Sequence, residues 1–339
     1  MRVCWRVGVM AVALVALSGL WGCSEPTSDN ELVVYTSRND HLIKPVFDAY
    51  TEETGITIRY ITDNASALAA RIQAEGERTP ADLLITVDAG NLWNAAQMEL
   101  LQPVESVVLD ANVPDSFTDP NKLWFGLTKR ARTIVYSTER VNPDELSSYE
   151  ALAEPEWKGR LCLRTSKKVY NQSLVATMIE RLGTEKAEQV VSGWVGNLAT
   201  DVFSNDTALM EAIVAGQCDV GIVNTYYYGR MKRDNAQLPL SLFWANQDVS
   251  GVHINISGGA VTKYAPHPEQ AKALLEWMTR PEAQHLLAEI NLEYPVNPSV
   301  EPAEEVKSWG EFREDDLNVS VAGALQVEAV KLMDRAGYR

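Results

Sequence analysis

Cysteine and histidine are both scarce, four of each in 339 residues, and neither type recurs at the short spacings that hold zinc. Cationic charge is also in short supply. Thirty Lys and Arg face 46 Asp and Glu, for a net charge of -16. That balance excludes nucleic acid as a partner, since binding phosphate backbones takes clustered Lys and Arg. The chain also lacks a Gly-rich phosphate loop, a nucleophile elbow, a His-Glu metal motif, a Ser-His-Asp arrangement and a dedicated pair of carboxylates. Nothing supports an enzyme. Internal repeats and low-complexity tracts are absent too.

The one long apolar run, Val7 to Leu17, follows Arg2 and Arg6 and is too short for a comfortable membrane span. It reads as a secretory signal over residues 1–22. Leu20-Trp21-Gly22-Cys23 resembles the bacterial lipoprotein box, although Trp21 replaces the usual small residue. The resemblance implies a lipid on Cys23, with residues 23–30 as a tether. Removing the signal takes away two arginines and no acid, so the net charge passes from -16 to -18. Cys162 and Cys218 then remain, and outside the cytoplasm an isolated pair of thiols reads as a disulfide.

From residue 31 onward the apolar pattern alternates between strand and helix periods. Leu32 to Tyr35, Ile56 to Ile61 and Leu83 to Ile85 read as strands. Helices are expected over Leu42 to Thr54, Ala67 to Ala74 and Leu92 to Met98. A mostly parallel α/β sheet follows from that order. Trp124 to Leu127 and Thr133 to Tyr136 read as two strands separated by the basic Lys129-Arg130-Ala131-Arg132. A second α/β series ends in a strand from Asp219 to Val223, which delivers Asn224-Thr225-Tyr226-Tyr227-Tyr228-Gly229-Arg230. Val319 to Met333 is expected as one final helix.

Three consecutive tyrosines just past a strand's carboxyl end stand where open α/β sheets bind ligands. At about 100° per residue, Tyr226 and Tyr227 can share a target while Tyr228 turns into the core. Two such phenols suit a stacked sugar, a cation over the ring, or a hard metal ion on phenolate oxygen. Phenolate is demanding: from a reference pKa near 10, deprotonation at neutral pH costs about 4 kcal/mol per Tyr, so only a highly charged cation such as Fe3+ can offset it.

Several segments in a fixed order resemble the periplasmic ferric-iron-binding proteins of the Fbp/Fut type, the solute receptors of iron ABC importers. They are Val34-Tyr35-Thr36-Ser37-Arg38, Thr79 to Asp88, Tyr170 to Ala176, Asn224-Thr225-Tyr226-Tyr227 with Gly229-Arg230, His253 to Gly258 and Glu293 to Pro298. The resemblance implies a two-lobed periplasmic binding protein fold with two crossover hinge strands. Residues 31–128 would form the first part of lobe 1, 129–257 lobe 2, and 258–339 the return to lobe 1 with C-terminal helices. It further implies that Tyr170, Tyr226 and Tyr227 hold Fe3+, three phenolates neutralising three charges. Arg130 would hold carbonate or another small synergistic anion, with Arg132 and Arg230 as weaker candidates. The partner would be an inner-membrane ABC permease, and the receptor a monomer. An alternative on the same fold is a receptor for a small organic ligand or oxyanion.

The sequence departs from the family at the loop after the first strand. There the resemblance would place His, or His followed by Tyr, but Asn39 and Asp40 occupy the positions. Asp40 is retained as a candidate oxygen donor against a role as helix cap. His41 is shifted by two residues and is expected to face elsewhere. His253, His267 and His285 are expected to be structural or exposed.

Overall fold

Leu32, Val33 and Val34 drive the first strand into the interior, and the rest of the first lobe is laid around it. A computed structural model describes residues 30–339. The signal segment and Cys23 lie outside the described residues. Strand β1 (Glu31–Thr36) pairs in parallel with β2 (Thr57–Thr62) and β3 (Leu83–Val87). Helices α1 (Asp40–Thr54) and α2 (Ala65–Glu75) make the crossovers, and α3 (Ala89–Gln97) follows β3. Ile43, Val46, Phe47 and Tyr50 bury one face of α1 against Leu32, Val34 and Ile85. Each large apolar side chain buried this way contributes about 1.5–3 kcal/mol. Gly55, in the left-handed region at φ 75°, ends α1.

The basic segment Lys129 to Arg132 does not interrupt the sheet. Strand β4 runs unbroken over Phe125–Ser137. The sequence reading split it because three cations within four positions look like a loop, yet each cation has a carboxylate. Lys129 meets Glu314 at 2.7 Å, Arg130 meets Asp88 at 3.4 Å and Arg132 meets Asp206 at 3.0 Å. Side chains alternate along a strand, so Arg130 and Arg132 share one face and Lys129 takes the other.

Strands β5 (Leu161–Cys162), β6 (Val220–Asn224), β7 (Leu240–Phe243), β8 (Ile254–Val261) and β9 (Tyr294–Pro295) complete one continuous path, β2-β1-β3-β8-β4-β6-β5, with β7 and β9 on β4. β8 lies antiparallel between β3 and β4. β4 changes neighbours in mid-strand, pairing with β8 up to Ala131 and with β6 from Arg132. β4 and β8 are therefore the two strands that pass between the lobes.

The second lobe contributes α4 (Val169–Leu182), α5 (Thr184–Asn197), α6 (Asp206–Val214) and α7 (Thr225–Asp234). Cys162 and Cys218 are bonded as a disulfide inside a core of Leu209, Met210, Ile213 and Val223, as the sequence reading expected. Helices α8 (Pro268–Met278) and α9 (Pro281–Asn291) return to pack with β1 and β3 of the first lobe. The expected final helix is broken at Leu325 into Val321–Ala324 and α10 (Gln326–Arg335), and α10 lies on α4 and α5 of the second lobe. Among the described residues no helix is long and apolar enough to cross a membrane.

Candidate metal centre

The carboxyl ends of β1, β3 and β6 and the amino ends of α4 and α7 meet at one cleft of about 220 Å³. Tyr170, in the first turn of α4 rather than at a strand end, reaches it beside Tyr226 and Tyr227 from the first turn of α7. The Tyr226 and Tyr227 rings stand 4.5 Å apart at 38°. Tyr228 turns away and packs edge-on against Trp309. Trp309 comes so close to α7 that a Cβ on Gly229 would stand 2.5 Å from its ring, which accounts for glycine after the tyrosines.

Asn224 closes β6 and fixes the first ligand candidate. Its Nδ2 donates to the Tyr226 hydroxyl at 3.0 Å, while its Oδ1 accepts from Arg132 at 3.0 Å. Arg132 itself does not line the cleft. It is buried and donates to Asn171, Asp206, Asn224 and the Ile222 carbonyl, so its guanidinium serves to hold the floor beneath Tyr226.

Arg130 and Arg230 do line the cleft. The Arg130 guanidinium carbon lies 5.5 Å from the Tyr170 ring centre, and one of its terminal nitrogens is buried with no hydrogen-bond partner. Arg230 covers the Tyr226 and Tyr227 rings at 5.0 and 5.8 Å. Asp88 sets the position of Arg130. It sits at φ 115°, a backbone region that costs a non-glycine residue strain, and is held there by Gly90, Ser173, Asn255 and Arg130. Burial raises its carboxyl above the usual range against those partners.

The same surroundings act on the phenols. Burial first, then repulsion from Tyr170 and Tyr227, pushes Tyr226 well above its ordinary value, with Arg130 opposing. Tyr170 is likewise raised by burial and drawn down by Arg130. Both therefore stay protonated at neutral pH until a strongly charged cation replaces the proton. Arg130 is the one fixed cation that eases that exchange at both.

Across the cleft, the first lobe supplies Ser37, Arg38, Asn39 and Glu293. Arg38 is buried among Asn291, Thr128, Ser257 and Glu293. Burial opposes the Glu293 charge, but Arg38 and Arg130 hold its carboxyl below the usual range. Asp40 does not line the cleft; it accepts from the Tyr60 hydroxyl at 2.5 Å on the exposed start of α1. Asn39 takes the N-cap position without a side-chain cap bond. His41 is exposed. His253 is buried against Thr177, and burial followed by Arg132 and Arg130 pushes its ring down to about 3.

Among the described residues no group of three His, Cys, Asp or Glu side chains stands where it could hold a metal. The hard donors that converge are phenols. Sequence reasoning assigned no role to Arg38, Glu293, Asp88, Asn224 or Arg164, although the first four fall inside segments singled out above. Arg164, just past β5, is buried with its guanidinium carbon 5.2 Å from the Tyr170 ring centre and 5.8 Å from that of Tyr227. No motif would have found it.

Residues 46–314 match the bacterial extracellular solute-binding protein family. Iron uptake protein A1 of Synechocystis sp. is 40% identical over 320 residues, covering 93% of this chain and 89% of that protein. A Trichodesmium FutA (IdiA) structure in complex with iron and citrate is 42% identical with a TM-score of 0.88, covering 91% of this chain and 100% of that one. Ferric iron-binding protein A of Mannheimia haemolytica, in an open conformation, is 37% identical with a TM-score of 0.84, covering 91% and 99%. The chain belongs to the bacterial extracellular solute-binding proteins, in the group that holds these iron-uptake and ferric-iron-binding receptors.

Proposed function

We propose that this protein is the periplasmic receptor that carries Fe(III) to an ABC importer, with Tyr170, Tyr226 and Tyr227 as the iron ligands. The observation that carries the reading is the convergence of these three phenols in one cleft that lacks a His or carboxylate cluster. Three phenolates cancel the charge of Fe3+. Ferric iron is the cargo, and nothing in the reading requires a reaction to be catalysed. Because all three ligands come from the second lobe, the remaining coordination positions fall to a small anion such as carbonate, or to water. Arg130, with its unpartnered nitrogen, is the donor we assign to that anion, with Arg230 beside it. Closure of the first lobe, bringing Arg38 and Asn39 over the site, would present a different surface to an inner-membrane permease. The receptor is proposed to act as a monomer tethered by lipid on Cys23.

Phenolate-to-iron charge transfer gives a visible band, so the apoprotein is expected to colour on addition of ferric citrate. Tyr226→Phe or Tyr227→Phe should each abolish or strongly weaken that band, and Tyr170→Phe should shift and weaken it. A wild-type protein that stays colourless removes the iron reading and favours the organic-ligand or oxyanion receptor.

A further inference from the structure

The second lobe buries more positive than negative charge directly behind the tyrosines. Arg132 and Arg164, both about 95% or more buried, share the single carboxylate of Asp206. Arg132 has the better share, with an aligned bond at 3.0 Å and further acceptors on Asn171, Asn224 and Ile222. Arg164 has only a 3.4 Å ion pair, and its Nε and one terminal nitrogen find no hydrogen-bond partner. Its backbone is nonetheless firmly placed. The Arg164 carbonyl accepts from Asn171 at 2.8 Å and from the Tyr338 hydroxyl at 2.6 Å. A buried guanidinium left this short of acceptors is costly, and the cost falls only if a negative charge forms beside it. The groups it stands over are Tyr170 and Tyr227.

We infer that Arg164 is a positioning residue of the metal centre, supplying the counter-charge to the Tyr227 and Tyr170 phenolates and so setting their donor strength toward the ferric ion. This rests on the reading of those tyrosines as iron ligands. Neutral phenols leave Arg164 under-compensated, and metal-bound phenolates complete the charge balance of the lobe. Unlike Arg130 and Arg230, it does not line the cleft.

The test uses the mature protein loaded with Fe(III), comparing wild type with Arg164→Gln and Arg164→Lys. A phenolate without an adjacent guanidinium is a better electron donor. The charge-transfer band of Arg164→Gln is therefore expected at longer wavelength, and its ferric/ferrous potential is expected to be more negative. The more basic phenolate is also taken back more readily by a proton, so iron loss to EDTA at mildly acidic pH should accelerate about 10-fold, the usual scale for removing an outer-sphere partner. Arg164→Lys keeps the charge but not the fork, so its band should fall between the two. The shift should shrink when Arg164→Gln is placed in a Tyr170→Phe background, which keeps a readable band, and a merely structural role would not produce that change. A folded Arg164→Gln protein with the wild-type band and release rate overturns the inference and leaves the iron reading intact. If Arg164→Gln does not fold, an unmoved band in Arg164→Lys overturns it equally. A colourless wild type removes both.

Discussion

Ser173 and Asp88 are bonded at 2.8 Å, joining the helix that carries Tyr170 to the end of β3 in the other lobe. Ser173 lies three residues after Tyr170, one turn along the same face of α4. The same carboxylate holds Arg130 of β4 and Asn255 of β8, so a single side chain touches both crossing strands and the ligand helix. Removing its charge with Asp88→Asn leaves Arg130 buried without a partner, and a loss of about 3 kcal/mol in urea unfolding is expected. Ser173→Ala removes one hydrogen bond and should cost about 1 kcal/mol.

Asn224 links Arg132 to the Tyr226 hydroxyl, so Asn224→Ala takes one acceptor from a buried cation and the amide donor from a buried phenol. We expect about 2 kcal/mol lower stability and weaker iron retention against a chelator. Asn224→Asp should separate the two effects. A carboxylate satisfies Arg132 but turns an acceptor toward Tyr226, so stability is expected to recover in urea titrations while iron retention does not.

His253 gives the fold a pH dependence whose sign follows from its burial. Its ring is held near 3 in the folded protein against an ordinary value of 6.5. Between those values the unfolded chain takes up a proton that the folded chain refuses. Stability contributed by the neutral ring is thus complete above about pH 6.5 and is lost as the pH falls, by up to about 1.4 kcal/mol per pH unit. His253→Gln can keep the contact with Thr177 without that proton, and its stability should fall less steeply from pH 6.5 to 4 than that of wild type.

Reduction of Cys162–Cys218 opens a loop with a sequence separation of 56. Loop-closure entropy at that length is worth about 4 kcal/mol. The Cys162→Ser/Cys218→Ser protein should show a correspondingly lower urea midpoint, with the wild-type protein in dithiothreitol behaving alike.

Much of this molecule was legible because its strands and helices obey their own periods. α1 and β6 end within about one residue of where the apolar pattern does, and the pairing of Cys162 with Cys218 followed from counting thiols in an exported chain. β4 was misread because local polarity cannot reveal that Glu314, Asp88 and Asp206, each distant in sequence, neutralise its cations. The three tyrosines stood out by resemblance and position. Their setting did not, because Arg38 and Glu293 meet across 255 residues and Arg164 comes within reach of the rings without lining the cleft. Whether an arginine faces a cleft or a core depends on which carboxylates the fold brings to it, as the contrast between Arg130 and Arg132 demonstrates.

Cys162 precedes Tyr170 by eight residues and Cys218 precedes Tyr226 by the same interval, so the covalent bond ties the two ligand-bearing arms together at matching roots. Such bonds form in oxidising compartments and are kept open in the reducing cytosol. A newly made precursor therefore has untied arms in the cytosol, and the two are joined once it reaches an oxidising compartment.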